Sequence, residues 1–283
     1  MNKRLAGKRV LITGAGSGLG RALALGWAGR GWRVAVSDID PERIEQTVKM
    51  VDGAGGQALG ITCDVTQPES LAAAALAVRD AWGGVDVEVN NAGVSAYGDM
   101  EAIPLERWRW ILDINLMGCI YGCKTFIPML AQQGGGHIVN VASYLAFLSA
   151  PGSACYNLTK AAILSLSETL RIELSGKNIG VSVLMPSFFQ TNLMEQLYCE
   201  DKEKETMIRT LFARSSFPAE KVAERLIRAV EKNRFYVLPQ WDAWLLWRVK
   251  RWLPGIYLKA FSFLYRHNVI QNVLGFQPAD RPG

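Results

Sequence analysis

Histidine is nearly absent from this 283-residue sequence; only His137 and His267 occur. The five cysteines (Cys63, Cys119, Cys123, Cys155 and Cys199) are scattered, and no cluster of metal-ligand spacing forms around either histidine. No metal centre is therefore expected. An odd, dispersed cysteine set also excludes a disulfide framework and reads as buried free thiols in a reducing compartment. Excess charge is small, +5 in total, which excludes a nucleic-acid footprint unless the charge is concentrated in one place. No run of about 18 uninterrupted apolar residues exists, so no membrane span is expected. The basic-then-apolar start, MNKRLAGKRVLITGAGSGLG, is broken by glycines where a secretory signal needs a continuous core. Repeats and low-complexity linkers are absent as well.

What is present is alternation. Short apolar runs at 9–13, 33–37, 58–63, 85–90, 137–142, 180–185 and 235–238 are separated by helical patterns. Those patterns fall at 21–30, 41–51, 68–82, 105–133, 154–175 and 219–232. Strands apolar on both faces and separated by helices predict a parallel sheet covered on both sides. The expected fold is α/β, doubly wound and Rossmann-type: one domain over 1–240 with a helical appendage over 241–283.

Between the first strand and the first helix lies TGAGSGLG, Thr13 to Gly20. Glycines there let backbone approach a pyrophosphate, and the helix N-terminus offers N–H donors. Gly14, Ser17, Gly18, Leu19 and Gly20 are the candidate contacts. The loop fits T-G-x-x-x-G-x-G rather than G-x-G-x-x-G. Asp38 closes the second strand, where a carboxylate accepts hydrogen bonds from an adenosine ribose and repels a 2′-phosphate. Neither Ser17 nor Ile39 is basic, so NAD is favoured over NADP. Asp40, just before Pro41, suits a helix cap.

A second local feature is SACYNLTK, 153–160, which places Tyr156 and Lys160 one turn apart on a helix. Together with TGAGSGLG, CDV (63–65), NNAG (90–93), Asn115 and Ser143, it resembles the short-chain dehydrogenase/reductase family over roughly residues 5–238. The resemblance implies a catalytic set of Ser143, Tyr156, Lys160 and Asn115. Asp64 and Val65 would flank the adenine, with Asn91 and Gly93 further along the cofactor. Pro186, Phe189 and Thr191 would cover the nicotinamide, and Asn90 would stabilise the sheet. A free phenol titrates near 10, and a neighbouring cation favours the phenolate. Lys160 is thus expected to lower the pKa of Tyr156 and to hold the nicotinamide ribose, while Asn115 holds a water in a relay to Lys160. Ser143 would bind the substrate oxygen. Where the family has Pro-Gly, this chain has Pro186-Ser187, which makes the path of that loop an open question.

Apolar residues between 188 and 217, with Tyr97, predict a lipophilic pocket, and the charged run 200–205 reads as a solvated lid surface. No arginine cluster suits a polyanion. The expected function is hydride transfer between NAD(H) and a lipophilic secondary alcohol or ketone, of hydroxysteroid, retinoid or long-chain type. Two alternatives stand beside it, a 3-oxoacyl thioester reductase and a non-catalytic NAD-sensing module. A cytoplasmic homodimer or homotetramer is expected. Four of the nine tryptophans fall in 241–266, a basic amphipathic pattern. On a helical wheel Trp241, Leu245, Leu246, Val249, Trp252 and Leu253 share a side, and Pro254 ends the helix. That pattern fits peripheral membrane contact, the pocket wall or a subunit contact.

Overall fold

The structure, a computed structural model, describes residues 3–213 and 215–269. Arg281 and Asp280, which the sequence adds to the charge of the appendage, lie outside the described residues. The strands are β1 (Arg9–Thr13), β2 (Arg33–Asp38), β3 (Gln57–Thr62), β4 (Val87–Asn90), β5 (Ser95–Ala96), β6 (Gly136–Val141), β7 (Ile179–Leu184), β8 (Leu197–Tyr198) and β9 (Tyr236–Val237). Seven of them form one parallel sheet in the order β3-β2-β1-β4-β6-β7-β9, and β5 pairs with β8 apart from it. The order reverses between β1 and β4, which opens a crevice at the carboxyl ends of the strands.

Each central strand feeds two cores, because successive side chains point to opposite faces. Val10 and Ile12 of β1 join Val34 and Val36 against Trp27 and Leu23. Leu11 and Ala35 face the other way, onto Leu71, Val78 and Phe126. The first layer is covered by α1 (Gly18–Ala28), α2 (Pro41–Gly53) and, from far along the chain, α9 (Ala219–Glu231). Asp40 caps α2 through the N–H groups of Glu42 and Arg43, at 3.0 and 3.2 Å. The second layer is α3 (Pro68–Trp82), α5 (Gly118–Gln132) and α7 (Ala154–Glu173). All five cysteines are free and buried. His137, on β6, lies fully buried with Nε2 2.8 Å from the Ser182 hydroxyl.

One local expectation needs correction. The predicted helix 105–133 is interrupted: α4 (Leu105–Ile111) runs into a π-helical turn, Leu112–Met117, before α5 begins. The widened turn carries Asn115 inward, where its carboxamide bonds the backbone of Val94. Although no continuous apolar run was found, Leu105–Gln132 has the length and mean hydropathy (1.3) to cross a membrane. Its apolar residues, among them Cys119, Phe126 and Leu130, instead face the sheet. The charged run 200–205 lies largely at the surface, as expected, and is mostly helical, opening α8 (Lys202–Ala213), because Glu205 meets Lys202 and Arg209 at helical spacing. A short α6 (Leu145–Leu148) follows β6. Pro254 ends α10 as expected, and it also opens a second helix. The tail is α10 (Trp241–Trp252) and α11 (Pro254–Arg266), since proline suits a first helical turn. Ala243 and Tyr257 of this pair are buried in the second core.

Candidate active site

One cavity of about 1080 Å³ occupies the carboxyl edge of the sheet. Its floor begins at the end of β1. Thr13 Oγ1 donates to the Val89 carbonyl and accepts from the N–H groups of Asn91 and Ala92, locking β1 to β4. Asn91 Nδ2 donates to the carbonyls of Thr13 and Gly14 at 2.8 and 3.1 Å, so its side chain braces the glycine loop. Gly14 has φ +64°, and a Cβ there would lie 2.9 Å from the Cα of Ala92. Gly18 has φ +47°, and a Cβ would close the gap to Thr191 Oγ1 and the Asn192 amide, both 3.1 Å away. Both positions need glycine. Ser17 precedes α1 without spending its hydroxyl on a cap, and Leu19 and Gly20 complete the lining.

Asp38 also lines the cavity, accepting hydrogen bonds from the Gly16 and Asp40 amides at 2.9 and 3.2 Å. Next to it stands Arg43, which sequence reading passed over because it sits a helical turn into α2. Its guanidinium is tied to Asp40 and Glu195, each at 3.1 Å. Asp64 holds a tight turn by accepting from the Thr66 amide and hydroxyl, and Val65 packs on Gly118. The crevice is therefore a backbone-lined trough with carboxylates at one end. The fold, the left-handed glycines and the carboxylate at the end of β2 fit a dinucleotide.

Ser143, Tyr156, Lys160 and Asn115 converge where this trough meets the wider part of the cavity. Tyr156 and Lys160 are buried on α7, with the ammonium 5.5 Å from the phenol ring centre. Lys160 Nζ donates to the Val141 carbonyl at 2.9 Å, and it stands beside Gly93 together with Asn115 Oδ1. Asn115 also donates to Thr159 Oγ1 at 3.3 Å. The expectation that Lys160 lowers the tyrosine pKa is not met. Burial pushes the Tyr156 phenol up to about 12, with a Ser143 hydrogen bond opposing the rise. Burial likewise drives Lys160 down to about 8. Desolvation dominates both shifts, and the ammonium is directed at a carbonyl rather than at the phenol.

Beyond Tyr156 the lining turns apolar. Tyr97, Trp110, Leu145, Leu148, Leu193 and Ile208 join Phe188 and Phe212. The rings of Tyr144, Phe188 and Phe212 stack edge to face at 5.5 and 5.0 Å. Phe189, grouped at sequence level with the cofactor residues, lies mainly in the first core while also reaching the cavity. Pro186 accepts from the Tyr144 amide through its carbonyl. Thr191 caps the turn that crosses toward the glycine loop. Ser187 sits without a positive φ, so the missing glycine imposes no strain. Its amide donates to Gln240 Oε1 (3.1 Å), and its hydroxyl donates to Asp242 Oδ1 (3.3 Å).

The sequence model described as short chain dehydrogenase matches residues 8–202. The chain belongs to the short-chain dehydrogenase/reductase family. Members of this family are oxidoreductases that use NAD(P). It is 34% identical over 254 residues to the "Probable oxidoreductase EphD" of Mycobacterium tuberculosis, covering 87% of this chain and 43% of that protein. The chain thus spans less than half the length of that relative. It is 31% identical to the 3-oxoacyl-[acyl-carrier-protein] reductase FabG of Thermotoga maritima, covering 84% of this chain and 96% of that one. Among solved structures, a short chain dehydrogenase/reductase from Burkholderia phymatum in complex with NAD superposes with a TM-score of 0.79 at 30% identity, covering 98% of both chains.

Within this dehydrogenase/reductase, several lining residues were not foreseen. Tyr144, Asp242, Leu246, Phe261, Leu264 and Tyr265 reach the cavity from the edge of α6, from α10 and from α11. No motif marks them: Tyr144 adjoins Ser143 ahead of α6, and the others come from helices about 100 residues further along the chain. The apolar side of the 241–253 wheel, left open between membrane, pocket wall and subunit contact, is mostly turned outward. Ala243, Leu246 and Trp247 face the protein, whereas Trp241, Leu245, Val249 and Trp252 are exposed. The inward side is chosen by polar anchors: Tyr257 donates its hydroxyl to the Leu148 carbonyl at 2.7 Å, and Lys250 donates to the Phe147 carbonyl.

Proposed function

We propose that this protein interconverts a lipophilic secondary alcohol and its ketone with NAD(H). The carrying observation is a protonated, buried Tyr156, hydrogen-bonded to Ser143, at the boundary between a polar trough and an apolar chamber. The nicotinamide supplies the hydride acceptor or donor. Ser143 holds the substrate oxygen, and Tyr156 gives a proton to it in reduction or takes one in oxidation. Tyr156 is a phenol at neutral pH and can serve as the acid in reduction. Oxidation needs the phenolate and gains from rising pH. Lys160 and Asn115, side by side at Gly93, are the groups through which a proton is replenished.

Asp38 supports NAD over NADP, since its carboxylate faces the trough and Arg43, the nearest cation there, is neutralised by Asp40 and Glu195. The likeness to an acyl-carrier-protein reductase favours a second substrate class, the 3-oxoacyl thioester. The test is an NADH-linked activity screen over steroids, retinoids, long-chain ketones and 3-oxoacyl thioesters, in both directions. Turnover confined to small polar carbonyls would overturn the lipophilic reading. A protein that binds NADH and turns over nothing would support the sensing module instead.

A further inference from the structure

The α10–α11 pair is apolar on two sides, and the fold uses only one of them. The inner side is engaged: Trp247 packs on Tyr236 with ring centres 5.2 Å apart, and buried Tyr257 donates its hydroxyl to the Leu148 carbonyl at 2.7 Å. The outer side has no partner among the described residues. Trp241 and Trp252 are 77% and 79% exposed, and Leu245, Val249, Ile256 and Phe263 are exposed with them. Packing of the domain does not account for this second face. Patches of this kind mark an interaction surface.

We infer that the outer face of α10–α11 docks on an anionic phospholipid surface. Charge selects that occupant. From Ala243 to Ala279 the sequence has no acidic residue, but it has Arg248, Lys250, Arg251, Lys259 and Arg266. Lys250 is spent on the Phe147 carbonyl. Arg248 and Arg251 lie over the rings of Trp244 and Trp247 and stay exposed, as does Lys259. A second copy docked symmetrically on this face would bring cations of one copy toward cations of the other, with no acid among them to offset the charge. Anionic headgroups complement them, and exposed indoles and aliphatic side chains enter the headgroup–acyl boundary. The same helices wall the cavity through Leu246, Phe261 and Leu264, so the bilayer would lie one helix away from the chamber.

Flotation of the full chain with phosphatidylcholine vesicles, with or without phosphatidylglycerol, tests this at low and high salt. Binding should require the anionic lipid and fall more than about tenfold at high salt. Trp241→Ser/Trp252→Ser and Arg248→Glu/Lys259→Glu should each reduce the bound fraction about tenfold. Both pairs are exposed, so an unchanged thermal transition is the control for folding. Absence of flotation by the parent chain overturns the proposal. So does a fall in solution mass, by light scattering, in the tryptophan double variant, which would make the face a contact between copies. Flotation requires no turnover, so its failure leaves the oxidoreductase reading intact.

Discussion

The two ends of the cavity are built from different materials. At the trough, each polar side chain is held by directional bonds to nearby backbone: Asp38 by Gly16 and Asp40, Asp64 by Thr66, and Asn91 by Thr13 and Gly14. At the chamber, rings and aliphatic groups from separate elements touch through dispersion, as in the Tyr144–Phe188–Phe212 series. Directional bonds fix a ligand's polar pattern, so changes there should act abruptly. Dispersive walls yield, so changes there should act by degrees.

The sharpest break lies at the junction of the two ends. Tyr156→Phe should lower turnover by at least about 100-fold while NADH affinity, read by fluorescence titration, changes little. A variant keeping a tenth of the rate would remove Tyr156 from proton transfer. Lys160→Met tests the cost of burying charge at the same place. Burial holds the lysine near 8 against 10.5. Between those values the unfolded chain binds more protons than the folded one, so this group makes stability rise with pH and makes its full penalty felt below 8. Urea unfolding from pH 7 to 10.5 should show the parent gaining about 3 kcal/mol relative to Lys160→Met. Equal slopes would mean that the ammonium is solvated.

At the trough, Asp38→Ala with Ile39→Arg should shift the ratio of NAD to NADP efficiency by about tenfold or more, comparable to the 1–3 kcal/mol of a charged hydrogen bond. A parent enzyme that prefers NADPH would show that Arg43 leaves its carboxylate partners. At the chamber, Phe188→Ala should raise KM for a bulky ketone roughly tenfold, with the NADH KM unmoved. Smallest of all, Ser187→Gly should cost only about 1 kcal/mol of stability, by loss of one partly buried hydrogen bond of 3.3 Å. A larger loss would make the Asp242 contact a main support of the nicotinamide loop.

The same division explains what could be read from the sequence. The seven strands of the main sheet, the glycine loop and the Tyr156–Lys160 turn depend on neighbours within a few residues, and periodicity and spacing exposed them. Only the ends of strands moved, as in β4, which begins at Val87 rather than at Val85. The chamber depends on which side of α10 turns inward, and that choice rests on Tyr257 and Lys250 reaching α6 more than 100 residues back. A wheel with apolar residues on two sides has no means of ranking them. The tyrosine pKa failed for a related reason: spacing revealed the cation, but depth of burial, which dominates the shift, is a property of the assembled site. Arg43 was hidden in the same way, on a helix whose approach to the crevice no local pattern encodes.

The contact of Ser187 with Gln240 and Asp242 bears on how this scaffold could be recombined. A C-terminal segment transplanted from another member of the family would meet the nicotinamide loop without its matching hydrogen-bond partners. A glycine at position 187, conversely, would leave Asp242 facing the cavity with one donor fewer. The smallest exchangeable cassette is thus discontinuous, position 187 together with Gln240 and Asp242, and a crossover placed between them separates hydrogen-bond partners.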